Sequence, residues 1–302
     1  MKVINIDDLN TLFSIPGHIT FKAGPGGLPV AEIANAHALA TVALHGGHVT
    51  AFEPRGQQAV LWVSRLARYK LGKAIRGGIP VIWPWFGPHA TDRNKPSHGF
   101  ARTTMWRVVG SDVLANQATQ IRLAISDNER THALWPHAFE LEVVITVGKT
   151  LQVELVMRNR GDEPFTCSGA LHSYFKVSDV TDIAIHGLED GTYIDQLDDF
   201  QRKVQQGAVT ISAETDRIYL DSPADCVIDD PGLSRRIRIQ KSGSRSTVVW
   251  NPWRAKAQRT ADFGDQEYPE MLCIETANAG DDLVTVPAGG EHRLTAIISV
   301  EQ

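Results

Sequence analysis

The sequence predicts an all-β fold, a large antiparallel β-sandwich. Apolar residues occupy every second position from Phe139 to Val147 and again from Leu151 to Met157, the pattern of strands with one buried and one solvated face. Turn residues separate the other short apolar runs at spacings typical of sandwiches and barrels. Helical periodicity is confined to two short stretches, Asp7–Phe13 and Ile194–Val204. Two packed sheets would bury the apolar faces and leave a concave outer face for a ligand.

The predicted strands can be followed in chain order. Gly148 and Lys149 form a short connection between the two most regular strands, which predicts a β-hairpin. Before this hairpin, the apolar runs predict strands at 28–33, 39–44, 47–54, 59–63 and 121–125. After it, they predict strands in CSGALHSYFKV, DIAIHGL, AVTIS, RIYLD, DCVIDD, RIRIQ, STVVWN, MLCIETA, DLVTVP and HRLTAIISV.

The composition sets limits on domain number and partners. The chain has 302 residues, of which 42% are hydrophobic and 22% charged, enough apolar material for a sizeable core. The strand pattern continues without a linker or a shift in composition, so a single domain over 1–302 is expected. The net charge of -5 argues against nucleic acid or an anionic membrane as a bulk partner. An anionic ligand would have to be held by a local arginine cluster.

The lack of a recognisable targeting signal and the pattern of cysteines favour a cytoplasmic protein. The N-terminal segment MKVINIDDLN has no apolar core of a secretory signal, and no run reaches the length of a membrane span. Cys167, Cys226 and Cys273 are odd in number and far apart in sequence. They are interpreted as buried free thiols in a reducing compartment.

The stretch from Gly72 to Arg107 is the most unusual part of the chain. Its four prolines rule out a helix or a central strand, and its glycines permit conformations that a β-carbon forbids. It also contains tryptophans, arginines and histidines, whereas disordered segments are poor in aromatic residues. We therefore expect a rigid loop that lines a pocket.

Several common motifs are absent. The sequence has no phosphate-binding P-loop, no G-x-G-x-x-G after a strand and no G-x-S-x-G elbow. His45 and His48 in HGGH could suggest a metal, but no thiol or carboxylate follows at ligand spacing. Two turn histidines are a better interpretation of this pair than a metal site.

A histidine and two carboxylates stand out in the strands. His172 lies in the apolar run ALHSYFKV and Glu275 in MLCIETAN, where an unpaired carboxylate would be costly to bury. His172 could be an ordinary core histidine, and Glu275 could face water from an edge strand. If the two converge, they form a plausible acid–base pair. Asp216 in ETDRIYL could equally be a turn-capping residue.

Arginine and tryptophan side chains could supply binding groups. Arg76 and Arg102 are flanked by glycine and aromatic residues that would fix the backbone, which suits a guanidinium held ready for an anion. The tryptophans could be core residues or could offer flat faces to a sugar ring, and the sequence alone does not show which of them has which role. They are Trp83, Trp85, Trp106, Trp250 and Trp253.

Taken together, these motifs resemble the aldose 1-epimerase (mutarotase) superfamily, and more closely its hexose-6-phosphate branch. The matching stretches are IRGGIPVIWPWFGP, SHGFAR, ALHSYFKV, TDRIY, VVWNPW and EMLCIETAN, which follow in the same order over about 70–280. RGGIP together with HGFAR is the specific part of the match. The resemblance implies a β-sandwich with its site on a concave face and no metal or cofactor.

The resemblance also implies roles for individual residues. It makes His172 the acid and Glu275 the base that interconvert the α and β anomers of a hexose 6-phosphate. It implies substrate contacts for Arg76, His98, Arg102 and Asp216, with the arginines at the phosphate. Ser97 stands where some relatives have glutamine just before HGF, and it is expected among the substrate contacts.

The chemistry of that reaction sets requirements for protonation. Glu275 would have to be ionised and His172 protonated, and we expect the nearby carboxylate to favour the imidazolium.

Two other functions fit parts of the pattern. A non-catalytic carbohydrate-binding protein would keep the aromatic loop and the arginines but would not need both His172 and Glu275. A glycoside-cleaving enzyme would use two carboxylates, for which Asp216 and Glu275 are candidates. No heptad or long exposed apolar strand calls for an oligomer, so a monomer is expected.

Overall fold

A computed structural model of the chain describes residues 5–301, so that Met1 to Ile4 and Gln302, which the predicted domain 1–302 includes, lie outside the described residues. The described residues contain only a few short α-helices. These helices, α1 to α3 in chain order, are Ile6–Phe13, Glu129–Leu134 and Trp253–Arg259. The prediction of a helix at Asp7–Phe13 is confirmed, and its N-terminus is capped by the side chain of Asn5. No helix in residues 5–301 is long and apolar enough to cross a membrane.

Strands make up most of the described chain. The strands, β1 to β22 in chain order, are Ile19–Ala23, Pro29–Ala34, Ala38–Ala43, His48–Pro54, Val81–Ile82, Arg107–Val113, Thr119–Ser126, Phe139–Val147, Leu151–Asn159, Phe165–Cys167, Gly169–Leu171, Tyr174–Lys176, Ala184–His186, Thr192–Asp195, Gln201–Val204, Thr215–Tyr219, Cys226–Asp230, Arg235–Ser242, Ser246–Asn251, Met271–Asn278, Val284–Val286 and Glu291–Glu301. Every pair of these strands is antiparallel, as the alternating sequence predicts.

Two eight-stranded sheets form the body of the protein. The back sheet has the order β13-β17-β18-β22-β9-β8-β7-β6. The site sheet has the order β15-β14-β16-β19-β20-β11-β5, and β12 also pairs with β20. A four-stranded sheet, β1-β2-β3-β4, and a two-stranded sheet, β10-β21, complete the described part of the fold. The predicted hairpin is the β8–β9 pair, in which Val147 lies opposite Leu151.

The core lies between the two large sheets. The alternate positions from Phe139 to Val147 are all buried, and their neighbours are only partly buried. The same apolar cluster includes Leu272 and Ile274 from β20 of the site sheet. Because side chains alternate across a strand, the residues between them on β20 point to the opposite face. That opposite face of the site sheet is therefore available for a ligand.

The predicted helix at Ile194–Val204 is wrong. This segment is a β-hairpin in which Asp195 of β14 lies opposite Gln201 of β15. The turn is made with positive φ at Asp199 and Phe200, a conformation that a helix does not contain. β14 also pairs with β16, so pairing within the sheet decides this segment against its local helical spacing.

The predicted strand at 59–63 is extended but forms no continuous ladder. Trp62 donates its backbone N–H to Tyr174 of β12, while the Trp62 carbonyl accepts from Gly78. The segment thus changes partner midway and makes only isolated bridges, at Leu61 and at Val63. The predicted strand in AVTIS likewise reduces to one bridge, between Val209 and Ile185 of β13.

Candidate active site

The register of the site sheet brings His172 and Glu275 together. Leu171 at the end of β11 pairs with Thr276, and Tyr174 at the start of β12 pairs with Cys273, both on β20. His172 falls in the break between β11 and β12, directly opposite Glu275. Side chains of opposed residues lie about 5 Å apart at Cβ and share one face. The Nε2 atom of His172 is 3.2 Å from Oε1 of Glu275.

A second row of side chains runs beside this pair on the same face. Trp250 of β19 is opposite Cys273, and Asp216 of β16 is opposite Trp250. Gln196 continues the row, since its backbone N–H donates to the carbonyl of Asp216. Asp216 lies on β16 and Glu275 on β20, with β19 between them, so the site extends across three neighbouring strands.

These rows form the floor of a cavity of about 340 Å³, which suits a small polar ligand. Every site residue predicted from the sequence lines it: Arg76, Ser97, His98, Arg102, His172, Asp216 and Glu275. Other lining residues were not among the predicted site residues: Phe86, Gly87, Pro88, Gln196, Val248, Trp250, Lys256 and Thr260.

The side chains of this pair are almost completely buried. His172 is 7% exposed and Glu275 is 1% exposed. Burial raises the pKa of Glu275 well above 4.5, and Asp216 adds to the increase whereas Arg102 opposes it. Burial lowers the pKa of His172 well below 6.5, and His98, Arg102 and Arg76 add to the decrease. Both directions favour the neutral forms in the free protein, whereas the sequence-based expectation of an ionised Glu275 and a protonated His172 concerns the reaction with substrate.

Two histidine side chains hold the loop that carries Arg76 through hydrogen bonds to its backbone. The Nε2–H of His48 donates to the carbonyl of Gly77 at 2.7 Å, and that of His45 donates to the carbonyl of Lys73 at 2.7 Å. Gly78 has φ +65, and a Cβ there would lie 2.3 Å from the carbonyl oxygen of Val49. Only glycine fits this approach, which explains the RGG sequence. His45 and His48 are therefore structural residues of the pocket wall.

His98 offers a hydrogen-bond donor to the cavity. The backbone N–H of Gly87 donates to its Nδ1 atom at 3.2 Å, so the neutral ring carries its proton on Nε2. Burial, together with Arg102 and Arg76, lowers the pKa of His98 to about 3. His98 has φ 64, and the imidazole ring lies 6.0 Å from that of His172. Ser97 lines the cavity mouth and is exposed.

The two arginines differ in how far their charges are already paired. Arg76 donates through Nη2 to Asp262 at 3.1 Å and through Nη1 to the Tyr174 hydroxyl at 3.1 Å. Arg102 donates through Nη2 to the carbonyl of Ser97 at 3.0 Å. Burial lowers the pKa of Arg102 to about 10. Arg102 thus has no carboxylate bound to it among the described residues, and it is the cation most open to an anionic ligand.

Asp216 belongs to a polar cluster at the far side of the cavity. Gln196 donates through Nε2 to Oδ1 of Asp216, and Lys256 of α3 lies 3.6 Å from Oδ2. The Lys256 ammonium also lies 3.1 Å from Glu214. Burial raises the pKa of Asp216, and the opposing effect of Lys256 is smaller. The arrangement can accept hydrogen bonds from ligand hydroxyl groups.

Comparison with known proteins identifies the family. The sequence pattern of the aldose 1-epimerase family matches residues 29–299. The chain belongs to this family. A protein of Escherichia coli, provisionally named glucose-6-phosphate 1-epimerase, is 38% identical over 80% of each chain. One from Cenchrus ciliaris with the same provisional name is 35% identical over 89% of this chain and 84% of its own.

A solved structure supports the same assignment. A provisionally named mutarotase from Salmonella typhimurium is 32% identical, with a TM-score of 0.88 over 98% of this chain and 99% of its own. The predicted antiparallel β-rich fold of the mutarotase type is confirmed. The chain is therefore an epimerase-type isomerase, and nothing in the comparisons favours a binding protein without catalytic activity.

The structure divides the tryptophans of this aldose 1-epimerase family member into two groups. Trp83 and Trp106 are fully buried, and Trp85 is 9% exposed with its Nε1–H donated to the carbonyl of Pro96. Trp250 instead lines the cavity, between Cys273 and Asp216 in its row. Trp250 is therefore the one of these tryptophans that lines the cavity, Trp253 packs partly buried against the core, and the loop tryptophans hold the loop in place.

The buried His48 predicts acid-sensitive folding. Burial lowers its pKa to about 3 in the folded protein, against 6.5 when exposed. As the pH falls through 6.5, the unfolded chain takes up a proton at this position and the folded protein does not. The free energy of unfolding should therefore fall between pH 6.5 and pH 3 by up to about 1.4 kcal/mol per pH unit for this group.

The measurement is urea unfolding of the His48→Gln variant between pH 7.5 and pH 4.5. We expect a shallower pH dependence of the unfolding free energy than in the wild type, whatever the variant's absolute stability. The same substitution at the exposed His132 serves as the control and should leave the slope as it was. Equal slopes for wild type and His48→Gln would contradict the assignment.

Proposed function

We propose that this protein interconverts the α and β anomers of a hexose 6-phosphate, with glucose 6-phosphate as the expected substrate. The observation that carries the proposal is the contact between His172 and Glu275 at the floor of a cavity that also contains arginines. An imidazole and a carboxyl group on one face can exchange protons with two oxygens of the same acetal carbon. The provisional names of the relatives from Escherichia coli and Cenchrus ciliaris support the phosphosugar substrate.

Ring opening needs two coupled proton transfers. In the proposed mechanism Glu275 takes the proton from the C1 hydroxyl while His172 gives a proton to the ring oxygen O5. The C1–O5 bond breaks, and the electron pair of the former O1–H bond forms the aldehyde C=O. Rotation about C1–C2 presents the other face of the aldehyde, and the same groups reverse both transfers. Each positioned group typically contributes about 10²–10⁴ to the rate.

The pair works with one shared proton. Because burial favours neutral forms of both groups, the free site holds this proton on Glu275, beside a neutral His172. Transfer across the 3.2 Å contact produces the carboxylate and imidazolium that the reaction uses. The proton count of the pair is the same before and after a turnover.

The rest of the cavity binds and orients the sugar. Arg102 and Arg76 hold the phosphate, and Arg76 exchanges its contact with Asp262 for the ligand. Ser97 contributes a polar contact at the mouth, His98 donates through Nε2–H, and Asp216 accepts from ring hydroxyls. We further propose, in line with the sequence-based expectation, that the protein is a cytoplasmic monomer without nucleic-acid or membrane partners and without a cofactor.

A direct test is polarimetry of freshly dissolved crystalline glucose 6-phosphate of one anomeric form. We expect the approach to the equilibrium rotation to be faster with the protein than in buffer alone, in proportion to protein concentration. An unchanged rate at micromolar protein would refute the proposal.

The shared proton predicts an unusual pH profile. Activity is lost in acid when the pair takes up a second proton, and in base when it loses the shared one. The low pKa of His172 moves the acid limb well below pH 6.5, and the raised pKa of Glu275 moves the alkaline limb well above pH 4.5. We expect kcat/KM for glucose 6-phosphate, which reports on the free enzyme, to stay level through pH 6.5 after correction for the titration of the substrate phosphate itself. A decline centred near pH 6.5 would instead indicate an ordinary histidine acid.

A further inference from the structure

Cys273 has no part in the proposed reaction, yet it lies beside the catalytic pair. One ligand atom from each of His172, Cys273 and Glu275 falls within 4.8 Å of the other two. All three residues are buried, and Cys273 is 0% exposed. Such a set of thiol, imidazole and carboxyl groups is the kind from which proteins build zinc sites.

The strand geometry explains why the three groups converge. Cys273 and Glu275 are two positions apart on β20, so their side chains project from the same face. His172 is directly opposite Glu275 and is therefore diagonal to Cys273. Two positions on β20 and one in the short break between β11 and β12, which pairs with β20 on both sides, thus define the site.

An unpartnered oxygen atom points to a ligand at this place. Oε2 of Glu275 is buried and has no hydrogen-bond partner within the described chain. A buried polar atom without a partner is costly, and native proteins rarely keep one without a function. The proposed reaction occupies one oxygen of Glu275 at a time, so this second oxygen remains available.

We propose that His172, Cys273 and Glu275 form an inhibitory binding site for Zn²⁺. The ion would enter through the cavity, which His172 and Glu275 line, and Cys273 would supply the third ligand from the buried side. The fourth position faces the cavity and takes water. A soft thiolate with an imidazole selects zinc or cadmium over magnesium, which prefers oxygen ligands.

Closing the site around an ion requires the ligand atoms, which lie within 4.8 Å of one another, to draw together. Ligand atoms around a tetrahedral zinc lie roughly 3.5 Å apart, given bond lengths of about 2.0–2.3 Å. The His172 to Glu275 contact of 3.2 Å is already close to this separation. Binding exchanges the ion for two protons, one from the thiol and one shared by the pair, so the net charge of the buried site is unchanged.

Zinc binding and turnover are mutually exclusive. The ion occupies the two groups that move protons, so it competes with the sugar for the same atoms. The inhibition rests on the proposed function, whereas binding of the ion does not. The experiment therefore measures both.

Binding is tested with Cd²⁺, whose bond to a thiolate absorbs in the ultraviolet. The protein used is the Cys167→Ala/Cys226→Ala variant, which retains Cys273 as its single thiol. We expect a thiolate absorption band that saturates at one equivalent of Cd²⁺ and disappears when excess Zn²⁺ displaces it. No band at millimolar Cd²⁺ would overturn the site, whether or not the protein is an epimerase.

Inhibition is tested with Zn²⁺ in the anomer-exchange assay. We expect inhibition that EDTA reverses, and no inhibition by Mg²⁺ at the same concentration. Cys273→Ala, or Cys273→Val if the smaller residue destabilises the core, should raise the inhibitory Zn²⁺ concentration by about 100-fold. Cys226→Ala, which removes a buried thiol from the back sheet, should leave it unchanged. Equal inhibition of the wild type and both Cys273 variants would also overturn the proposal.

Discussion

Replacing Glu275 by glutamine should lower kcat by about 10²–10⁴ and leave the melting temperature equal or higher. Glutamine has the same shape but cannot take the C1 hydroxyl proton. The native carboxyl group is 1% exposed, its Oε2 atom has no partner, and burial raises its pKa. Removing an ionisable group from such a place relieves a folding cost, which is typical of a trade-off between stability and activity.

Glu267 provides a matched control. It is also buried, at 4% exposed, but its carboxylate accepts hydrogen bonds from Ser64, Arg65 and Gly264. Glu267→Gln should therefore lower the melting temperature while keeping most of kcat, the reverse of the result at Glu275. The measurements are thermal unfolding followed by circular dichroism and the anomer-exchange rate. A fully active Glu275→Gln variant would remove this residue from the mechanism.

Truncating Arg102 to alanine should weaken the binding of phosphosugars much more than the binding of free sugars. For glucose 6-phosphate, we expect KM to rise by about 10²-fold, because loss of a buried charge partner typically removes about 2–5 kcal/mol of binding. The guanidinium contacts no reacting atom in the proposed mechanism, so kcat should change little. For glucose, which has no phosphate, the variant should differ from the wild type by less than about threefold in kcat/KM.

The control for this prediction is Arg93→Ala. Arg93 lies in the same loop but is exposed and does not line the cavity. Its removal should leave KM for both sugars near the wild-type values. Equal losses with glucose and glucose 6-phosphate in Arg102→Ala would contradict the assignment of Arg102 to the phosphate.

Much of the fold could be predicted because burial on one face leaves a period of two in the sequence. β8 and β9 show this pattern clearly, and their hairpin is where the sequence places it. The segment Ile194–Val204 failed because helical spacing over so few residues is weak evidence. Its pairing with β16, which is distant in sequence, decides its structure.

The candidate site was only partly predictable, for a related reason. Motifs located His172 and Glu275, but their contact depends on the register of β11 and β12 against β20. Gln196 and Lys256 were missed because neither lies in a distinctive motif, and Gln196 fell within the segment predicted as a helix. Their role beside Asp216 follows from strand order and from α3, which the sequence pattern does not report.

The protonation preferences of the free site are not visible in the sequence. A carboxyl group and an imidazole in contact suggest an ion pair when only the residue types are known. The depth of burial of His172 and Glu275 reverses this preference in the free site, and burial is a property of the assembled sheets.

The most direct test of the central claim is proton NMR exchange spectroscopy on equilibrated glucose 6-phosphate. The α and β anomeric protons give separate signals, and exchange between them reports ring opening and closure without any coupling enzyme. We predict exchange cross-peaks whose rate scales with protein concentration and which are lost with Glu275→Gln. Exchange no faster than in buffer, with a protein that still binds glucose 6-phosphate, would contradict the epimerase account and leave the contact between His172 and Glu275 without a catalytic role.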